Sequence, residues 1–534
     1  MAEAAATRKA TAIERASRWL EWLSDHVNPI LVKEIRQSLK SRQFVVTFML
    51  LLAAGWLISV VGIANAGDSL VYSNVGRTFF AFYYLALAVA IFAVVPYGAF
   101  RSLLTERERN TYELLSITAL KPRQIIWGKL LSSLVQTLMY YSAIAPFIAF
   151  TSLLQGFDFA VVAFVLIGSL LGSMFCCMIA LMLSSIVKEK RGQTAMSVLL
   201  VGGLVWVVIA VYSSVSVWIS LGRSLPLDDS EFWFMWGAVL AVGGSYFLLA
   251  QQIATSQLTF AADNRSTGIR VICSLQFWLL WGIVLVGQAV WGGGLRKADE
   301  ELLAFISVLS AIHWAAVGGF VATESDTLSR RVRRRIPRRL WLRLLAAPFW
   351  PGGARGCAYV LLHVAMLWTI TSSLIAVSTL TNTWVFPWVT ALCAYVVTYV
   401  CLGCFLSRVL RWFRPELKPV HARLLLLILF AAGCAGPYVP YAIGTARWST
   451  GYSLSFIANP FVTLEAVFDA HDVVGGSLVW SAITFLLIPL AALSVIVNGR
   501  AIAKGIWEVV RPADASPSRD CTDKQTSPLL AANR

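Results

Sequence analysis

Long apolar runs separated by short polar loops dominate the chain. A helix needs about 20 mostly apolar residues to cross a bilayer. Twelve runs of that kind occur, at approximately 44–64, 78–100, 130–153, 159–186, 195–222, 232–254, 271–292, 302–322, 357–379, 385–407, 423–444 and 476–498. The predicted fold class is all-α: a polytopic integral membrane protein of about twelve transmembrane helices.

Composition supports that class. Of 534 residues 58% are hydrophobic and 13% charged, and the mean hydropathy is +0.71. An ordinary soluble domain is about 45–50% apolar and about 25% charged. A soluble enzyme, a disordered protein and a secreted disulfide scaffold are excluded, because no soluble fold of this size hides so much apolar surface. The 21 Trp residues suit a chain with two bilayer interfaces. The cysteines lie almost entirely within apolar runs and read as small packing residues.

Charge adds the orientation. Cytoplasmic loops are enriched in Lys and Arg. With the N-terminus inside and the spans alternating, only Arg77, Arg223, Arg296, Lys297 and Arg447 of the 44 basic residues fall in outside loops. Both termini are therefore expected in the cytoplasm, and the net charge of +16 faces an anionic inner leaflet. Membrane lipid is the expected partner of that charge, and nucleic acid is not. The first long apolar run starts near residue 44 without a small-residue cleavage site, so no cleaved secretory signal is expected. Residues 1–12 and 512–534 are polar and expected to be disordered.

The expected organisation is a cytoplasmic N-terminus at 1–43, a first six-helix bundle at 44–254 with a cytoplasmic loop at 101–129, a second bundle at 255–498, and a tail at 499–534. Within 13–27, Ile13, Ala16, Leu20, Leu23 and Val27 share one helical face. Asn28-Pro29 then signals a second helix start. That helix mixes apolar Ile30, Ile35 and Leu39 with Lys33, Arg36, Lys40 and Arg42, as an interfacial helix does.

The loop 101–129 is the most informative segment. Thr105 is placed to cap a helix whose first turns hold Glu106 and Glu108, and Leu114, Leu115 and Ile117 form an apolar ridge. Lys121-Pro122 ends that helix, and Gly128-Lys129 lies where the next begins. A short helix with charge on one side and leucines on the other fits a groove on a partner.

Here the chain resembles a family. Glu106-Arg107-Glu108-Arg109-Asn110-Thr111-Tyr112-Glu113-Leu114-Leu115, then Leu120-Lys121-Pro122, then Gly128-Lys129-Leu130, is similar to the loop between the second and third spans of type-2 permeases of ATP-binding-cassette (ABC) transporters. Asn28-Pro29-Ile30-Leu31-Val32-Lys33-Glu34-Ile35-Arg36 resembles the N-P-x-x-x-K-E-x-R of their elbow helix. The likeness covers about 28–190. Asn110 stands where the family usually has Gly, and a typical member has about half as many spans.

The resemblance implies a permease subunit, with Glu106, Glu108, Arg109, Thr111, Glu113, Leu114 and Leu115 contacting an ATPase and Asn28, Pro29, Lys33, Glu34 and Arg36 in the elbow. The chain has no G-x-x-x-x-G-K-[ST] phosphate loop. It is then no enzyme and holds no cofactor, and ATP is bound by a separate ABC ATPase subunit. An exporter in the plasma membrane is expected, with a homodimer or a second permease as a further possible partner. The alternative is a membrane scaffold that keeps the fold and moves nothing. An intramembrane enzyme lacks paired carboxylates or a nucleophile–base set.

In the second half, Thr323-Glu324 takes the relative place of Thr105-Glu106, which raises a degenerate repeat. The run 330–339 (RRVRRRIPRR) is an ordinary positive-inside anchor, or it grips anionic lipid head groups or a partner's acidic surface. Asn459-Pro460-Phe461 suggests a short external helix. The spans carry no Asp, Glu, Lys or Arg near their centres, which argues against ion-coupled transport. His313 and His363, and the pair Cys401 and Cys404, read as packing groups.

Overall fold

The computed structural model describes residues 29–66, 75–108, 121–151, 154, 158–187, 190–221, 225–260, 262–297, 299–378, 384–443, 454–469 and 476–511. Among them there are helices and no strands, and twelve helices are long and apolar enough to cross a membrane. The chain is an all-α, multi-pass membrane protein. Two compact units divide it, Met1–Phe260 and Ala261–Arg534. The expected helix at 13–27 and the polar ends at 1–12 and 512–534 lie outside the described residues.

In the first unit α1 (Pro29–Leu39) precedes the first span, α2 (Arg42–Ala66). The second span is α3 (Val75–Val89), a π-helical turn at Ala90–Val94, and α4 (Val95–Glu108). Then come α5 (Pro122–Thr151), α6 (Phe159–Ile186), α7 (Lys190–Leu221) and α8 (Ser230–Leu258). Asp158 and Asp229 cap α6 and α8 by accepting hydrogen bonds from Ala160 and Glu231 backbone N–H groups, both at 2.9 Å, satisfying donors that a helix start otherwise leaves open.

The second span runs two turns past residue 100, where its apolar window was expected to end. Leu103 and Leu104 carry it: both are buried beyond the exposed Arg101. Its inner face is aromatic. Tyr83 and Tyr84 are fully buried and share hydrogen bonds with Ser59 (2.7 Å) and Ser169 (2.6 Å). In hydrocarbon such bonds between helices satisfy groups that have no water to turn to. The π turn leaves carbonyls without their usual helical donors; Ser173 Oγ donates to Ile91 O at 2.7 Å and Gln43 Nε2 to Val94 O at 3.3 Å.

The second unit contains α9 (Thr267–Val290), α10 (Glu300–Val321), α11 (Arg330–Arg333), α12 (Leu340–Ala346), α13 (Gly353–Val377), α14 (Val385–Phe413), α15 (Pro419–Ala435), α16 (Val439–Ala442), α17 (Pro460–Asp469) and α18 (Gly476–Val510). Its six spans are α9, α10, α13, α14, α15 and α18. The Asn459-Pro460-Phe461 signal does open a helix, α17, and Asn459 Oδ1 accepts from Phe461 N at 3.0 Å. The last helix continues to Val510, past residue 498 where the span was expected to end. Val509 and Val510 are buried, and Val509 packs with Leu328, Val332, Ala347 and Trp350. That small core holds the start of the expected tail.

The two bundles share most of their pattern of neighbours. With spans numbered one to six in each, the closely packed pairs of the second are 2–3, 2–4, 2–5, 3–4, 3–6, 4–5 and 4–6. Every one of these is also a packed pair in the first. The fourth span packs on the second, third, fifth and sixth in both, and in the first bundle the first span also packs on the second and third.

His363 packs as expected. Its ring lies 4.2 Å from Trp314, Nδ1 bonds Tyr359 O at 2.8 Å, and Nε2 bonds Ser274 Oγ at 3.0 Å. Cys357 and Cys401 lie with their sulfurs 3.7 Å apart, and the eight described cysteines are free thiols.

Spans α10 and α13 touch backbone to backbone at Gly356, where a Cβ would sit 2.3 Å from Val321 O. No side-chain adjustment relieves a clash with a carbonyl, so Gly356→Ala must push the two spans apart. Overpacking of this kind costs about 1–3 kcal/mol or more. The variant is expected to unfold at a clearly lower temperature in detergent, monitored by Trp fluorescence. An unchanged midpoint contradicts the close approach.

Candidate functional site

The elbow helix α1 lies against α5 through polar contacts. Glu34, not an apolar residue, is the buried side chain of its central turn. Lys129 stands two turns into α5, is 2% exposed and has its Nζ 3.2 Å from Glu34 Oε1. The same Nζ lies 3.1 Å from Glu106 Oε1, carried by the last turns of α4. Lys33 adds a second cation at 3.9 Å from Glu106 Oε1, from a position 61% exposed. Ser38 and Ser132 share a 3.2 Å hydrogen bond alongside.

Each partner comes from a different motif: Glu34 from the elbow, Glu106 from the loop motif and Lys129 from Gly128-Lys129. Three segments far apart in sequence thus meet at one ammonium group. Buried charges need such partners because leaving water is costly for each ion. One lysine between two carboxylates also ties three elements together: the elbow, the end of the second span and the start of the third. A cleft of about 160 Å³ opens beside the cluster, bounded by Glu34, Gln43, Val94, Lys129 and Tyr140. It reaches the π turn, a helix defect often found at functional sites.

The start of α5 explains how Lys129 is placed. Pro122 opens the helix, Lys121 N donates to Gln124 Oε1 at 2.9 Å, and Gln124 N donates to Lys121 O at 2.8 Å. This reciprocal pair fixes the first turn as a capping box does.

Among the predicted site residues, Glu106, Glu34 and Lys33 come together. Arg36 is exposed on α1, away from these contacts. Pro29 begins α1, and Glu108 ends α4. Asn28, Arg109, Thr111, Glu113, Leu114 and Leu115 lie outside the described residues. Thr105 is a correction. It does not cap a new helix: α4 runs through it unbroken, and its hydroxyl donates to Arg101 O at 2.9 Å. A Thr inside a helix satisfies its hydroxyl on the preceding turn in this way. Lys129 was quoted in a motif but not expected to bear a role. Its signal was its position, a lysine directly at the start of an apolar run, where an unpaired ammonium is costly once the helix is embedded.

The second unit builds a comparable charge centre after its second span. Glu324 Oε2 lies 2.6 Å from Arg270 Nη2, and Glu324 Oε1 accepts from Ser266 Oγ at 2.7 Å. Arg270 is fully buried and also donates to the carbonyls of Pro348 (2.7 Å), Trp350 (2.7 Å) and Gly352 (3.1 Å). Gly352 has φ of 140°, a conformation open to glycine. It turns its N–H toward Glu324 Oε2 at 3.2 Å. Arg355, also fully buried, ties α13 to α18 through Gly505 O (3.0 Å) and Glu508 Oε2 (3.3 Å). Thr105-Glu106 and Thr323-Glu324 therefore both close their second spans on a carboxylate held by a buried cation.

Comparison with known proteins adds one match. Residues 58–227 match the family model described as ABC-2 family transporter protein. The matched region runs from within α2 to the loop before α8 and so includes Glu106 and Lys129. No curated protein and no solved structure matches the chain. The match and the twelve apolar helices support the membrane subunit of a transporter.

Proposed function

We propose, from the ABC-2 family match over residues 58–227, that this chain is the permease subunit of an ABC exporter in the plasma membrane. A separate ATPase subunit docks on the segment 105–118 and binds the ATP. The observation that carries the reading is the Glu34–Lys129–Glu106 cluster, which stands where that segment leaves the second span.

The chemistry is mechanical. A docked ATPase that moves the loop displaces Glu106, which is held to Lys129 on the third span and through it to Glu34 on the elbow. Ion pairs near 3 Å in a site shielded from water are strong, because neither solvent nor salt screens them well. Such a cluster passes a push from one helix to the next and resists their sliding apart. The polar anchoring of the elbow keeps α1 moving with α5. The neighbour pairs of the second bundle all recur in the first, which supports a reading of the chain as two related six-helix halves.

A pull-down of the tagged full chain in mild detergent, beside Leu114→Asp, tests the reading. An ATPase is expected with the wild type and at least about tenfold less with the variant, since a charge enters an apolar groove at a cost of several RT. Absence of an ATPase from a well-folded wild-type preparation turns the reading toward a scaffold. Equal recovery with both chains removes Leu114 from the docking contact.

A further inference from the structure

We propose that the segment 330–345 of the second unit is a binding platform for anionic phospholipid. It lies between the eighth and ninth spans, outside both. Its two halves are chemically distinct. Arg333, Arg334, Arg335, Arg338 and Arg339 are exposed. The helix α12 then presents Leu340, Trp341, Leu344 and Leu345 on one face, with Trp341 57% and Leu345 66% exposed. Those positions are spaced i, i+1, i+4 and i+5, so the four side chains form one ridge.

The platform is held from beneath. Val332 is buried with Leu328, Ala347, Trp350 and Val509. Ser329 Oγ donates to Ala262 O at 2.6 Å. Arg343, inside the ridge helix, donates to Pro337 O at 2.6 Å and to Val510 O at 3.3 Å. Its guanidinium is thus engaged by carbonyls, and the ridge is fixed rather than free to fold back onto the arginines.

Among the described residues, the acids beside this segment are already engaged. Asp263 pairs with Arg331, Glu324 with Arg270, and Asp326 Oδ1 accepts from Ala354 N at 2.9 Å. The ion pairs among the described residues include none of the five exposed arginines. Five like charges beside an apolar ridge seek a surface that is anionic and oily at once. Anionic phospholipid offers both: phosphate oxygens for the guanidinium forks and acyl chains for Trp341 and the leucines. Water-soluble phosphates would leave the ridge in water.

The test uses the full chain with Leu340→Cys in a background with Cys176, Cys434 and Cys521 changed to Ser, labelled with an environment-sensitive fluorophore. The labelled chain is placed in phosphatidylcholine nanodiscs with and without phosphatidylglycerol. Emission is expected to shift to the blue when phosphatidylglycerol is present. The preference for phosphatidylglycerol is expected to fall at least about tenfold when the five arginines are changed to Gln. Rising ionic strength must weaken the wild-type signal as well, a measurement that needs no folded variant. Water-like emission in both discs overturns the proposal. So does a shift that is equal without phosphatidylglycerol, or one indifferent to salt. A probe shielded only on adding a purified ATPase assigns the platform to a protein instead and overturns it too.

Discussion

Replacing Lys129 by Met is expected to destabilise the first unit more than any other single change in it. The substitution keeps the volume and removes the charge. Glu34 and Glu106 then face each other around an apolar group, with only the exposed Lys33 left at 3.9 Å from Glu106. Removing one partner of a buried pair costs about 3–5 kcal/mol, because the remaining charges stay desolvated and unbalanced. Thermal unfolding followed by Trp fluorescence in detergent should show a fall in midpoint of many degrees. The triple variant Glu34→Gln, Glu106→Gln, Lys129→Met removes all three charges. It should recover most of the lost stability, since a neutral cluster has no ion left uncompensated. ATPase stimulation by the permease should stay low in the triple variant, because the link between elbow, loop and third span is gone. A single Lys129→Met variant as stable as the wild type rules out the buried cluster. A triple variant with full ATPase coupling leaves the cluster a purely structural role.

In the second unit the largest loss is expected from Arg270→Leu. Arg270 is fully buried and answers Glu324, Ser266 and three backbone carbonyls at once. Each buried acceptor left without a donor costs about 1–3 kcal/mol, and more where the acceptor is charged. Several are orphaned together, so the second unit is expected to fold poorly, with low yield of monodisperse protein by size-exclusion chromatography. Arg270→Lys should restore little. An ammonium keeps the charge but cannot reproduce the planar fork that reaches Glu324 and the Pro348–Gly352 turn at the same time. Yield and unfolding midpoint of Arg270→Lys close to wild type would show that charge alone suffices and that the carbonyl contacts contribute little.

These two residues show where sequence reading stops. Arg270 stands at the start of an apolar run and reads as one more basic residue flanking a span. Nothing local tells that Pro348, Trp350 and Gly352, far along the chain, fold back to use its donors. Thr105 misleads for the opposite reason. Thr followed by acidic residues is a common helix start, but Leu103 and Leu104 had already committed the second span to run through. The packing of those two leucines overrode a good local signal.

The sequence by itself determined the class, the number of spans and the motifs. Each is a local property: about 20 apolar residues must span a bilayer as helix because their backbone groups have no other partners there. It also supplied Glu34, Glu106 and Lys129, but as members of three separate motifs. Only the tertiary structure brought them to one ammonium group, sorted buried Glu34 from exposed Lys33 and Arg36, and revealed the shared neighbour pattern of the two bundles. Helix packing in a membrane is decided by shape and by a few buried polar pairs, and hydrocarbon-facing residues carry almost no record of which helix lies beside them. The partners of a buried charge are therefore set by the fold as a whole, and no window of sequence contains them.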